Sequence, residues 1–194
     1  MKYSKMINDY SIVTIPRVGS NYFQDRILQH TGVFIRRYHN LQDNKMITIV
    51  RDPIELMTSE LTMRAFYDKT IMDKIHTPEW KESVLKNFNT YLSGVDDMTI
   101  VDRFDIVIDY NSLIEFPFET TRTVCDMIGL EIINTEYVDN LRDYTEHKHI
   151  LSSKRVDEYQ EIKKHIQSMD LSRMYKIYDA LLARCIGVTG TLKP

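Results

Sequence analysis

Short β-branched runs alternate along the 194-residue chain with stretches whose apolar positions recur at helical spacing. Four runs read as strands: Ser11 to Ile15, Val33 to Tyr38, Lys45 to Val50 and Asp105 to Asp109. Between them, Asn21 to His30, Ile54 to Asp68 and Glu79 to Leu92 read as helices, the last with Trp80, Val84, Leu85, Phe88 and Leu92 near helical spacing. The last third is mostly helical in pattern: Phe118 to Ile128 stops at Gly129, then Val156 to Met169 and Ser172 to Cys185 follow, the latter before Gly187. Strands alternating with helices predict an α/β class with a parallel sheet and a helical C-terminal third. No repeat, linker or low-complexity tract breaks the pattern, so a single domain over residues 1–194 is expected.

Composition agrees, since 43% hydrophobic and 27% charged residues suit a soluble fold with a sizeable core. The net charge of -3 argues against a face devoted to nucleic acid. Any anion site must therefore be local. No stretch approaches the ~20 apolar residues that span a bilayer, and Met1 to Asp9 has no apolar signal region, so no membrane span and a cytoplasmic location are expected. Cys125 and Cys185 read as buried thiols within helical patterns, too few for a metal cluster by themselves.

Candidate chemistry gathers where the apolar runs end. Pro16 to Ser20, Arg37 to His39 and Arg51 to Asp52 each follow a strand, and ligands of open parallel sheets bind at those carboxyl ends. Arg17, Arg36, Arg37, His39 and Arg51 would lie near one edge, with Arg36 sent to the face opposite Arg37 and His39 by strand alternation. Each arginine alone is more readily a solvated surface charge; their shared topological position is the argument for a strongly anionic ligand. A helix start is also well specified after Lys45 to Val50: Asp52 can cap, Pro53 suits the first helical position, and Glu55 can reach back to the cap backbone.

These residues resemble the sulfotransferases that use 3'-phosphoadenosine 5'-phosphosulfate (PAPS). "PRVGSNY" is similar to that family's 5'-phosphosulfate loop, which implies that Arg17 binds the phosphosulfate, Gly19 lets the backbone approach, Ser20 and Asn21 bond the same oxygens, and Tyr22 packs on adenine. Asn21 stands where a hydroxyl residue is commoner. "VRDPIELMTSEL" resembles the 3'-phosphate motif, an arginine and a serine eight positions apart, here Arg51 and Ser59. The structural alternative pairs Arg51 with Asp52 or Glu55 and turns Ser59 to solvent.

"IRRYHN" resembles the strand-end lysine-threonine-histidine of the cytosolic branch, implying Arg37 on the bridging oxygen and His39 as base, although Tyr38 and Asn40 depart from that pattern. In "VIDYNSLIEFPFETTRTVCDMIGL", Tyr110 matches a tyrosine near adenine, while Asn111 and Ser112 replace an acidic pair. "SSKRVDEY" offers Lys154 and Arg155 to the 3' phosphate, or is a solvated basic pair opening a helix. The resemblance covers residues 11–130 discontinuously and implies a three-layer P-loop-type sheet flanked by helices.

The implied reaction is sulfuryl transfer from PAPS, leaving 3',5'-adenosine bisphosphate, to a hydroxyl or amine of a small-molecule or glycan acceptor, with no metal demanded. Two rivals stay open: a magnesium-dependent phosphotransferase, although Gly19-Ser20-Asn21 lacks the lysine of GxxxxGK[ST], and a non-catalytic nucleotide-binding module. His147-Lys148-His149 is weak metal spacing without a cysteine or carboxylate partner.

Overall fold

A computed structural model describes residues 5–14, 18–84, 99–138 and 156–186. It holds four strands, β1 (Lys5–Val13), β2 (Val33–Tyr38), β3 (Lys45–Val50) and β4 (Ile106–Asp109). All pair in parallel, in the order β2-β1-β3-β4. The described helices are α1 (Ser20–Thr31), α2 (Pro53–Tyr67), α3 (Thr70–Lys74), residues 78–84, α4 (Thr99–Arg103), α5 (Tyr110–Glu115), α6 (Pro117–Met127), α7 (Val156–Gln167) and α8 (Ser172–Leu182). The architecture is therefore α/β with a four-stranded parallel sheet flanked by helices.

The chain divides into two compact units. The first comprises Met1–Arg51, Gly94–Val138 and Ile177–Pro194; the second comprises Asp52–Ser93 and Asp139–Lys176. The first unit contains the whole sheet. Its centre is β-branched because strands covered on both faces need apolar residues throughout: every residue of β3 after Lys45 is buried, as are Ile106, Val107 and Ile108 of β4. Phe23 and Ile27 of α1, Leu113 of α5 and Val124 and Cys125 of α6 complete this core.

β1 begins six residues earlier than the pattern predicts. Lys5 to Ile7 pair with Val33 to Ile35, and the register then jumps so that Ile12 faces Arg37. Asn8, Asp9 and Tyr10 fall in that irregularity, and their polarity breaks the alternation that would have announced a strand. Parallel strands usually need a crossover of a dozen residues, yet six residues join β2 to β3 past the intervening β1. Stagger makes this possible. Lys45 pairs beside Tyr10 while Tyr38 pairs beside Val13, so the return along the strand axis is three residues, about 10 Å.

At the other end of the sequence, α8 stops at Leu182 rather than running to Cys185. Cys185 forms a parallel bridge to Val107, with Ile186 N donating to the Val107 carbonyl at 3.0 Å, so the residue expected in a helix extends the β4 edge. The guanidinium of Arg184 holds this turn by donating to the carbonyls of Val101 and Phe104. α6 ends in a Schellman arrangement: Gly129 has φ +72°, Leu130 N donates to Cys125 O at 2.8 Å and Gly129 N to Asp126 O at 3.3 Å.

In the second unit, α2 starts as its sequence dictates. Asp52 Oδ1 accepts from Glu55 N at 3.0 Å, and Pro53 takes the first helical position. The Glu55 carboxylate, expected to turn back to the cap, accepts from Tyr159 Oη at 2.6 Å and from Lys163 of α7. Asp52 Oδ2 accepts from Tyr175 Oη at 3.0 Å. Three contacts from α7 and α8 therefore tie down the first turn of α2. Leu56, Met57 and Leu61 of α2 and Ile162 and Ile166 of α7 are buried. Thr77 and Pro78 open the helix at residues 78–84, one residue before its expected start.

Candidate functional site

Strand order decides where a ligand can sit. The connection leaving β1 leads to β2 on one side, whereas the strand following β3 lies on the other side, so the chain reverses direction between β1 and β3. In open α/β sheets the carboxyl ends at such a reversal form the binding crevice. The segments that follow these ends in the first unit are Thr14 to Ser20 and Arg51, flanked by Tyr38 to Asn40 and Asp109 to Tyr110.

Gly19 occupies the cap position of α1 with φ +78° and ψ 16°, a left-handed conformation that a side chain disfavours. No side chain caps α1, and its first turn carries no acidic residue. Its first internal bond runs from Phe23 N to Gly19 O at 2.9 Å, so the N–H groups before it point out of the helix end, where the dipole favours an anion. Ser20 is buried beneath this end, and its Oγ accepts from Arg37 Nη1 at 3.2 Å. Arg37 of β2 thus brings its charge to the first residue of α1, as strand-end placement required. Arg36, on the alternate face, is exposed.

Arg51, the residue after β3, lays its guanidinium over the ring of Tyr110, 4.4 Å from the centroid. The same ring backs Gly19: a Cβ built on that glycine would meet Tyr110 Cε2 at 3.4 Å and Leu113 Cδ2 at 3.6 Å. Tyr110 is held by the turn before it. Asp109 caps α5, accepting from Asn111 N at 3.2 Å and from Ser112 N at 3.4 Å. The substituted pair Asn111 and Ser112 therefore donates to Asp109 through backbone N–H groups, and Ser112 Oγ adds a third bond at 3.2 Å. Gly19, Ser20, Arg37, Arg51 and Tyr110 are the expected residues that these contacts bring together.

His39 follows β2 and is exposed. Its Nδ1 lies 2.8 Å from the carbonyl oxygen of Thr14 at the end of β1. A carbonyl can only accept, so Nδ1 carries the hydrogen and Nε2 of the neutral ring keeps its lone pair. Thr14 N donates in turn to Tyr38 O at 3.1 Å, which holds β1 and β2 together at this edge. Asn21 is exposed in the first turn of α1. Ser59 is half-buried in the second turn of α2, in the second compact unit. Arg17, Lys154 and Arg155 lie outside the described residues, as do His147 and His149.

Tyr22 has a role its sequence position did not announce. Its hydroxyl accepts from Arg26 Nη1 at 3.0 Å, and its ring meets Tyr137 edge to face at 5.7 Å. Arg26 is 5% exposed and lies over both rings, 4.1 Å from the Tyr137 centroid. Its Nη2 lies 3.2 Å from Nε2 of His30, whose Nδ1 lies 2.7 Å from Asn134 O. The carbonyl again assigns the ring hydrogen to Nδ1 and leaves Nε2 to accept from arginine. Burial pushes the His30 pKa down; the bond to Asn134 O works against that shift, and the Arg26 cation adds to it.

Gln29 bonds both backbone groups of Val138, at 2.8 and 2.9 Å, so residues 133–138 are strapped along α1. This stretch is thus anchored to the helix that carries Ser20. The missed signal was legible: Tyr22, Arg26 and His30 stand four residues apart and share one helix face.

Comparisons of the chain with protein-family models, curated proteins and solved structures find no match. The geometry therefore carries the functional reading. Among the described residues, no group of three histidine, cysteine or carboxylate side chains could hold a metal ion. None of the described helices is long and apolar enough to cross a membrane. Both cysteines are buried and neither is in a disulfide, and burial, with Asp126 adding to it, pushes the Cys125 thiol up to about 12.

Proposed function

We propose that this chain is a sulfotransferase of the P-loop type, moving the sulfuryl group of PAPS to a hydroxyl or amine of a small-molecule or glycan acceptor. One observation supports the reading most: a glycine-capped helix N-terminus lies where the strand order reverses, with Arg37 on its first residue and the Arg51-Tyr110 pair against its glycine. The donor is a bisphosphate bearing one more anionic group, and these features suit it. The bare Gly19 backbone can approach a phosphate closely, the first turn of α1 supplies N–H donors, and two arginines supply charge.

Sulfuryl transfer makes a bond from acceptor oxygen or nitrogen to sulfur and breaks the bond from sulfur to the bridging oxygen, whose electron pair departs with the 5' phosphate. The protein's part is to align and to neutralise. The first turn of α1 and Ser20 orient the transferring end, with Arg17 as a further cation. Arg37 offsets charge on the departing oxygen. His39 takes the acceptor's proton on Nε2, the nitrogen left with a lone pair by the bond from Nδ1 to Thr14. Arg51 is assigned to the 3' phosphate, Tyr110 to the neighbourhood of the adenine, and Tyr22 and Asn21 to the first turn.

Calorimetric titration with 3',5'-adenosine bisphosphate, with 5'-AMP and with ATP plus magnesium tests this. Tight binding of the bisphosphate with a large loss for AMP is expected. A preference for ATP with magnesium replaces the reading with a phosphotransferase, and no binding of any of the three removes it.

A further inference from the structure

The backbone of Thr14 is fully engaged at the end of β1. Its N–H donates to Tyr38 O at 3.1 Å, and its carbonyl accepts from His39 Nδ1 at 2.8 Å. Its side chain is not engaged: Thr14 is 4% exposed, and its buried Oγ1 has no hydrogen-bond partner among the described residues. Thr31, Thr58, Thr62, Thr120 and Thr121 are buried too, yet each of their hydroxyls donates to a carbonyl. A hydroxyl withdrawn from water and left unbonded is costly, and valine would fill the same β-branched space without that cost.

Strand alternation fixes where this hydroxyl points. Ile12 pairs with Arg37 and Val13 with Tyr38, and paired residues of a parallel ladder share a face. Thr14, two residues after Ile12, therefore lies on the Arg37 face. On that face Arg37 donates to Oγ of Ser20, the first residue of α1, whose N-terminus no side chain caps. The hydroxyl and the first N–H groups of α1 are thus donors at one end of one sheet face. A phosphate or sulfate group, with several acceptor oxygens, satisfies both.

We propose that the Thr14 hydroxyl is a ligand contact, donating to the phosphate or sulfate group that the first turn of α1 holds. The inference rests on the anion site of the proposed function and adds a residue to it. Thr14→Val removes only the hydroxyl, and Thr14→Ser keeps it. Both variants and the wild type are melted without ligand and titrated with 3',5'-adenosine bisphosphate, 5'-AMP and inorganic phosphate.

Thr14→Val should weaken the bisphosphate and AMP alike by about 10- to 100-fold, the span of a hydrogen bond to a charged group, and Thr14→Ser should retain both. The thermal midpoint of Thr14→Val should stay level or rise by about 2–4 °C, since a buried unbonded group is gone. A merely structural hydroxyl would not move stability and affinity in opposite directions. NMR of the His39 ring, whose Nδ1–H bonds the Thr14 carbonyl, checks that the strand end stays in place. A loss confined to inorganic phosphate keeps the contact, names a free phosphate as the ligand and removes the sulfotransferase reading. Unchanged affinity for all three probes overturns the inference, and leaves that reading standing if the wild type prefers the bisphosphate to AMP. Lost affinity with a displaced His39 hydrogen also overturns it, because the strand end has then moved. A wild-type chain that binds none of the three overturns the reading and the inference together.

Discussion

Replacing Gly19 with alanine probes the feature on which the site depends, and Gly129 supplies its control. Both glycines are left-handed, at φ +78° and +72°, and each ends a helix, Gly19 at the start of α1 and Gly129 after α6. A Cβ in that conformation costs about 1–2 kcal/mol. Alanine also restricts the unfolded chain, which returns about 0.4–1 kcal/mol. Each variant should therefore lose about 1 kcal/mol, or roughly 2–4 °C in thermal midpoint for a chain of this size.

The two surroundings differ. A Cβ at Gly129 meets nothing within 4 Å, whereas one at Gly19 meets Tyr110 Cε2 at 3.4 Å, the near limit of ordinary contact. Adding a methyl there fills the backbone's approach and presses on the ring beneath Arg51. Gly19→Ala should thus weaken 3',5'-adenosine bisphosphate by about tenfold or more, as misplaced binding groups do. Gly129→Ala should leave that affinity intact. Thermal melts paired with calorimetric titration on both variants read the two effects separately. Gly19→Ala matching the wild type in stability and affinity would refute the argument, and so would an equal loss of affinity in Gly129→Ala.

His39→Ala should lower turnover on a sulfated-donor assay by about 10²–10⁴-fold while nucleotide affinity is kept; undiminished turnover removes His39 as the base. His30 is held neutral, so its pKa in the folded chain lies below the unfolded value of about 6.5. Its stabilising effect is complete above about pH 6.5 and is lost as the pH falls from there toward the folded pKa, because the unfolded chain binds the proton first. Urea midpoints of the wild type should drop between pH 7.5 and 5, and by less in Arg26→Met, where the neighbouring cation is gone; identical pH slopes would contradict the assigned contact. Cys125, with its thiol pushed up to about 12, should resist iodoacetamide at pH 8 in the native chain, and mass spectrometry finding it alkylated as fast as in urea would show that it is not buried as described.

Local chemistry wrote much of this structure into the sequence. β2 and β3 run over the residues their patterns mark, β3 because a strand covered on both faces must be apolar nearly throughout, and β2 because its apolar start, Val33 to Ile35, packs inward. The start of α2 was equally legible, since Asp52, Pro53 and the Glu55 N–H satisfy one another within four residues. The strand-end positions of Gly19, Arg37, His39 and Arg51 followed from the same periodicity.

Contacts between distant segments decided the rest. No local pattern could tell that Glu55 would serve Tyr159 and Lys163, that Cys185 would lie beside Val107, or that Arg51 would rest on Tyr110, because each needs partners 59 to 108 residues apart in the numbering. The early part of β1 lacks a strand pattern for a related reason: its polar Asn8 and Asp9 lie where the register with β2 breaks. Tyr22, Arg26 and His30 shared a helix face in the sequence, yet their function as an anchor for residues 133–138 appeared only when Asn134 and Tyr137 were brought against them. Helix and strand identity depends on backbone groups a few residues apart, whereas the environment of a charge depends on whatever the fold packs beside it. The sequence alone therefore determined where the candidate cations stand along the strands, and the tertiary structure decided what each one touches.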